Sequence, residues 1–152
     1  MLRVERWAWV VYIVDMVTIT GEYLGDLYCR AVHGPSGAVI ETDAPKDNQG
    51  KGAAFSPTDL CATSLMTCMA TIMGIQAKTL NYDLAGLKME VHKDMTAAPP
   101  RRIARLEVIF NFPRPADEAI RTRLQRAAET CPVHYSLNPD VSIRTIFKWP
   151  GQ

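Results

Sequence analysis

Apolar and polar positions alternate in short runs over the first quarter of the chain. Val17-Thr18-Ile19-Thr20 alternates, and Tyr23 to Val32 continues with Leu24, Leu27, Tyr28 and Cys29. Gly34-Pro35-Ser36-Gly37 reads as a turn, followed by the apolar-polar run Ala38-Val39-Ile40-Glu41-Thr42. The pattern predicts two strands between Val17 and Thr42. Further on, Leu87-Met89-Val91 and Leu106-Val108-Phe110 alternate on either side of Thr96-Ala97-Ala98-Pro99-Pro100, which predicts a hairpin of Leu84–Met95 and Ile103–Phe112. Val141 to Trp149 reads as a last strand.

Between these runs the period changes. Asp43 to Gly52 is almost devoid of apolar residues and holds Pro45, Asp47, Asn48, Gly50 and Gly52, so it reads as a surface loop. Ser56 as N-cap, Pro57 at the first helical position and Asp59 at the third predict a helix start with an acidic first turn. Leu60, Leu65, Met69, Ile72, Met73 and Ile75 then spread apolar surface around nearly every face, as in a buried helix ending near Lys78 to Asn81. Pro115-Ala116-Asp117 opens an amphipathic helix through Glu129, with Ile120, Leu124 and Ala127 on one face. Cys131-Pro132 interrupts it, and Val133 to Leu137 reads as a short helical turn. The predicted order is β-β-α-β-β-α-β, an α+β domain over residues 17–150 with antiparallel sheet segregated from helices.

Residues 1–16 read as an N-terminal extension or an extra strand. Arg3 and Arg6 precede an apolar run from Trp7 to Val14, but that run is eight residues long, Asp15 closes it, and no small-x-small cleavage site follows. It is also less than half of the roughly 20 residues that a membrane helix requires.

Composition narrows the function classes. Of the 152 residues, 47% are hydrophobic, enough for one well-filled core. Lys and Arg number 17 against 16 Asp and Glu, so the net charge of +1 provides no long-range field for nucleic acid or anionic lipid. Nine basic residues and five acids lie after position 100, a mild excess without interleaved aromatics. The expectation is a cytoplasmic protein with neither a nucleic-acid nor a membrane partner. Cys29, Cys61, Cys68 and Cys131 are too few for a disulfide-stapled scaffold, and no C-x-x-C occurs.

Two cysteines stand in chemically distinct settings. Cys68 lies 12 residues past the Ser56 cap, roughly 18 Å along the helix axis, where the helix dipole no longer reaches; on local grounds it reads as an inert core residue. Cys131, before Pro132, stands at a helix cap whose free N–H groups would stabilise a thiolate, or else it fills a helix–helix corner. Cys131-x-x-His134 with a helix cysteine is a weak zinc pattern lacking a fourth ligand. Cys61 and Cys68 share a helix face but stand about 10 Å apart along the axis, too far to bridge. Cys61 and Cys29 read as packing residues, and His33 and His92 as surface residues in strands. Lys46 and Lys51 in the loop are candidates for a site on the following helix.

Ser56-Pro57-Thr58-Asp59-Leu60, then Cys68 eleven residues after the proline, then Ala128-Glu129-Thr130-Cys131-Pro132-Val133 resembles the OsmC/Ohr family of thiol-dependent hydroperoxide reductases. Thr42-Asp43-Ala44-Pro45 and the run from Asn48 to Pro57 are similar to its OsmC-like subgroup. The resemblance covers Val17 to Trp149 in element order. It implies an intertwined homodimer in which antiparallel sheets wrap around a long central helix, with active sites at the subunit interface. It implies further that Cys68 is the peroxidatic thiol and Cys131 the resolving one, with no bound cofactor but an external dithiol or lipoyl-type reductant, and an organic or lipid hydroperoxide as substrate. Family members activate the thiol with an arginine and a glutamate. Here Thr58 stands at the glutamate's position, Asp59 is the nearest carboxylate, and Arg30 and Lys51 are the candidate cations. The same resemblance admits a non-catalytic alternative, a binding protein for a small hydrophobic or thiol ligand.

Overall fold

The computed structural model describes residues 16–151, so the reading of the first 15 residues as an extension or strand lies outside the described part. The chain runs β1 (Ile19–Gly25), β2 (Tyr28–His33), β3 (Val39–Asp43), a single 3-10 turn (Lys46–Asn48), α1 (Pro57–Thr79), β4 (Lys88–Met95), β5 (Ile103–Asn111), α2 (Glu118–Glu129), α3 (Pro132–Ser136) and β6 (Ser142–Lys148). Two three-stranded sheets result, ordered β1-β2-β3 and β4-β5-β6. The architecture is α+β, as the sequence predicts.

Two features differ from the sequence reading. The segment up to Val32 is two strands rather than one, because the chain reverses at Gly25-Asp26-Leu27, three consecutive residues with φ of 93°, 49° and 64°. Glycine and aspartate tolerate this left-handed region, whereas Leu27 is held there as its N–H donates to Tyr23 Oη at 3.2 Å. Apolar residues flank the reversal on both sides, so the pattern does not break where the backbone does. The second difference is that β6 lies parallel to β5, while β4 lies antiparallel to it. A parallel return needs a long crossover, and α2 and α3 supply it.

The core lies on one side of α1. Ala62, Leu65, Met69, Met73 and Ala77 recur at three- or four-residue spacing and are buried against the β4-β5-β6 sheet and α2, where they meet Leu106, Val108, Phe110 and Leu124. β5 is the central strand and carries most of the sheet's buried residues. The opposite face of α1 is left open among the described residues: Ser64, Thr67, Thr71, Ile75 and Lys78 are exposed. The expectation of a helix buried all round therefore holds for one stripe only, and the remaining apolar surface faces outward.

The first sheet also has open faces. Ile19, Tyr23, Leu24, Val39 and Ile40 are exposed, each by 46% or more. The sheet joins the rest of the chain at its β3 edge, where Thr42 pairs with Phe55 and the Asp43 N–H donates to the Phe55 carbonyl at 3.1 Å. Asp43 is fully buried, and its Oδ2 accepts from the Ala53 N–H at 2.8 Å, which ties the far end of the loop to β3. The loop folds back so tightly that a Cβ at Gly50 would lie 1.7 Å from the Ala44 carbonyl oxygen, so only glycine fits. The sequence from Asp43 to Ser56 thus fixes where α1 begins.

Candidate active site

The start of α1 forms as its residues dictate. Ser56 Oγ accepts from the Asp59 N–H at 3.1 Å, and Asp59 Oδ2 accepts from the Ser56 N–H at 2.8 Å, a reciprocal capping box ahead of a helix that Pro57 pre-forms. Asp59 Oδ1 also pairs with Lys93 Nζ at 2.6 Å, and the same ammonium donates to Thr58 Oγ1 at 2.7 Å. Partial burial pushes the Asp59 carboxyl up, but the hydrogen bonds from Lys93 and Ser56 and the Lys93 charge outweigh it and hold the pKa below 3.8.

Asp59 therefore caps the helix and anchors β4 to it. Nine residues separate it from Cys68, two and a half turns, which puts the two on opposite faces of α1 and about 13 Å apart along the axis. Within one chain it does not meet that thiol. Lys93, which sequence reasoning missed, stands between Val91 and Met95 at alternate positions of β4, and all three are partly buried. A lysine on the inward side of a strand was the readable signal.

Cys68 and Cys131 do come together. Cys68 is partly buried on the side of α1 that meets α2 and α3, and Cys131 is fully buried at the N-cap of α3. Both are free thiols, and Cys68 is near enough to Cys131 to act on its ionisation. Pro132 starts α3 and leaves Cys131 in extended backbone (φ −71°, ψ 146°), where its Sγ accepts from the His134 N–H at 3.3 Å. Sequence reasoning placed Cys131 at a cap; the backbone donor from His134 and the proximity to Cys68 come from the fold.

Burial pushes the Cys131 thiol above its ordinary 9.0, the His134 N–H pulls it down, and the neighbouring Cys68 thiol adds to the rise. Cys131 is thus a protonated thiol at neutral pH. A stability prediction follows from the sign. Below pH 9 folded and unfolded chains both hold the proton; above it the unfolded chain releases the proton first, and stability falls until the folded thiol also ionises. Thermal melts between pH 8 and 11 should show a fall in midpoint that is smaller in Cys131→Ser.

The remaining candidates lie on other elements. Arg30 is on β2, across from Glu22 on β1 and Glu41 on β3. Lys51 lies in the loop before α1 and pairs with Asp26 at 3.5 Å, both groups largely in solvent. Neither hydrogen-bonds either thiol within the chain. His134 turns Nδ1 to the Glu129 carbonyl at 2.7 Å, which binds α3 to the end of α2. Among the described residues no three His, Cys, Asp or Glu side chains converge as a metal site would require.

A partly buried thiol beside a buried, protonated one is an arrangement suited to reversible disulfide formation. A family model described as OsmC-like protein matches residues 50–146. The fold is similar to that of a proposed osmotic stress induced and detoxification response protein from Psychrobacter arcticus 273-4, with 44% identity, a TM-score of 0.83, and coverage of 90% of this chain and 99% of that one. It is also similar to an organic hydroperoxide resistance protein OsmC from Legionella pneumophila (14% identity, TM-score 0.71, 88% and 96% covered). An OsmC-like protein from Mycoplasma pneumoniae gives 17% identity and a TM-score of 0.75, with 89% and 97% covered. A search among curated proteins returns no match. The match over residues 50–146, together with the 44% identical structure, makes this chain a member of the OsmC-like protein family.

Proposed function

We propose that the protein is a cytoplasmic, thiol-dependent peroxidase that reduces organic or lipid hydroperoxides, with Cys68 peroxidatic and Cys131 resolving. The observation that carries this reading is the pair itself: two neighbouring thiols, one partly accessible and one wholly buried. The Cys68 thiolate attacks the terminal peroxide oxygen, the O–O bond breaks, and the alkoxide takes a proton and leaves as the alcohol. Cys68 is then a sulfenic acid. The Cys131 thiol attacks that sulfur, a Cys68–Cys131 disulfide forms, and the hydroxyl leaves as water. An external dithiol, such as a lipoyl-type reductant, restores both thiols and is itself oxidised to a disulfide.

The catalytic unit in this reading is a homodimer. Two open surfaces support it. A three-stranded sheet with solvent on both faces is marginal on its own, and β1-β2-β3 leaves large apolar side chains uncovered. On the outer face of α1, the hydroxyls of Ser64, Thr67 and Thr71 donate to the carbonyls of Cys61, Thr63 and Thr67 at 2.7, 2.8 and 2.9 Å. Those hydroxyls are already satisfied, so a second copy can cover them without stranding a polar group. In such a dimer the cation that activates Cys68 comes from the partner, with Arg30 or Lys51 in that role and Thr58 in place of a carboxylate.

The test is turnover: the protein with dihydrolipoamide should consume many equivalents of cumene hydroperoxide and oxidise one dithiol per peroxide. Peroxide consumption no faster than with the dithiol alone would instead favour a binding protein for small hydrophobic or thiol ligands.

A further inference from the structure

The hydroxyl of Thr58 stands at the end of a chain of donors. Its Oγ1 accepts from Lys93 Nζ at 2.7 Å and lies 3.0 Å from Ser56 Oγ. Ser56 Oγ already accepts the Asp59 N–H, so its own hydrogen is available to Thr58. A hydroxyl oxygen that accepts twice has only its own hydrogen left to give. Lys93 is fixed for this contact: its side chain is 16% exposed, and Asp59 Oδ1 holds the ammonium at 2.6 Å. The two bonded groups face different spaces. Thr58 lines a hollow of about 400 Å³ whose walls include Tyr23, Leu27, Pro45, Pro57 and Met95. Lys93 and Asp59 line another of about 470 Å³, shared with residues 52–55, of which Gly52, Ala53 and Phe55 are exposed. The bond from Lys93 to Thr58 thus joins a mostly apolar hollow to one that opens to solvent.

Resting on the peroxidase reading and its dimer, we propose that Lys93 and Thr58 form a proton relay to the alkoxide released when the O–O bond breaks. Ten residues, about 15 Å of helix, separate Thr58 from Cys68, so the two do not meet within one chain. The relay serves Cys68 of the partner subunit, since Cys68 borders the outer face of α1, four residues after Ser64 and three before Thr71. The thiolate takes the terminal oxygen and becomes the sulfenic acid, and the electron pair of the O–O bond stays on the alkoxide. Thr58 Oγ1 gives its hydrogen to that alkoxide and takes one from Lys93 Nζ, which leaves an alcohol, an intact threonine and a neutral amine. Water in the open hollow returns a proton to the amine. An ammonium is a far stronger acid than an alkanol, so the transfer runs downhill. Thr58 touches the reacting atoms in this scheme, and Lys93 acts through it.

The test exploits a leaving group that needs no proton. Peracetic acid releases acetate, a weak base, whereas cumene hydroperoxide releases an alkoxide. Stopped-flow rates for the first equivalent of each oxidant are compared in wild type and variants, with Cys68→Ser as background. Thr58→Val keeps the side chain's shape and should slow cumene hydroperoxide by about a hundredfold while leaving peracetic acid near the wild-type rate. Thr58→Ser retains the hydroxyl and should keep the wild-type ratio of the two rates. Lys93→Arg keeps the charge beside Asp59 but surrenders a proton far less readily, so it should follow Thr58→Val. Equal slowing of both oxidants in Thr58→Val, or no slowing of either, overturns the relay, because a purely structural role or a purely electrostatic one does not distinguish the leaving groups. Wild-type rates no faster than Cys68→Ser with both oxidants would instead overturn the peroxidase reading itself, and the relay with it.

Discussion

Cys68→Ser is expected to abolish hydroperoxide consumption, by at least about a thousandfold, because it removes the nucleophile on which the proposed mechanism rests. The substitution changes one atom at a partly buried helical position, so the fold should persist. Cys131→Ser should behave differently. Serine is a favoured N-cap residue and can accept the His134 N–H in place of the sulfur, so α3 keeps its start. The first equivalent of peroxide should then be consumed at close to the wild-type rate and later ones only with a thiol from solution, because the sulfenic acid has lost its neighbour. The contrast between the two variants, read in a stopped-flow assay of peroxide loss, assigns the roles. Wild-type rates in Cys68→Ser would end the mechanism.

The next largest effect is expected at the outer face of α1. Thr67 lies midway along the face formed by Ser64, Thr67 and Thr71. Thr67→Arg would bury an unpaired charge if a second copy packs there, at a cost of several kcal/mol, enough to dissociate many dimers. Light scattering should give about twice the 16.9 kDa chain mass for wild type and the chain mass itself for Thr67→Arg, with turnover lost alongside. Thr67→Val is the companion variant: its hydroxyl is already spent on the Thr63 carbonyl, so removing it should leave the dimer intact. A dimeric Thr67→Arg protein would place the interface elsewhere.

These expectations rest on features that differ in how far a sequence can reveal them. The start of α1 was legible because capping is local: Ser56, Pro57 and Asp59 interact within one turn, and their order alone specifies the box. The same holds for Cys131 at the start of α3, where Pro132 marks the helix start. The hairpin of β4 and β5 followed from alternation. The reversal at Gly25 to Leu27 did not, because its three left-handed residues sit inside an unbroken apolar pattern. The parallel pairing of β6 depends on how α2 and α3 carry the chain across, a tertiary property that no local pattern encodes.

The site divides along the same line. That Cys68 and Cys131 matter came from their motifs, but that they are neighbours is a consequence of α1, α2 and α3 packing together. Local reasoning alone would have left Cys68 as core filling. Asp59 was a candidate for thiol activation on sequence proximity, whereas helix geometry turns it to the opposite face and gives it to Lys93. Lys93 was overlooked because charged residues in strands usually face solvent, and only its phase relative to Val91 and Met95 marks it as inward.

The central claim is that Cys68 and Cys131 form a peroxide-driven redox pair. The most direct test is intact mass and free-thiol count before and after one equivalent of an organic hydroperoxide, with peptide mapping of any new bond. The account predicts a loss of two thiols, a mass lower by two hydrogens, and a Cys68–Cys131 link that a dithiol reverses. Four thiols left untouched would contradict it.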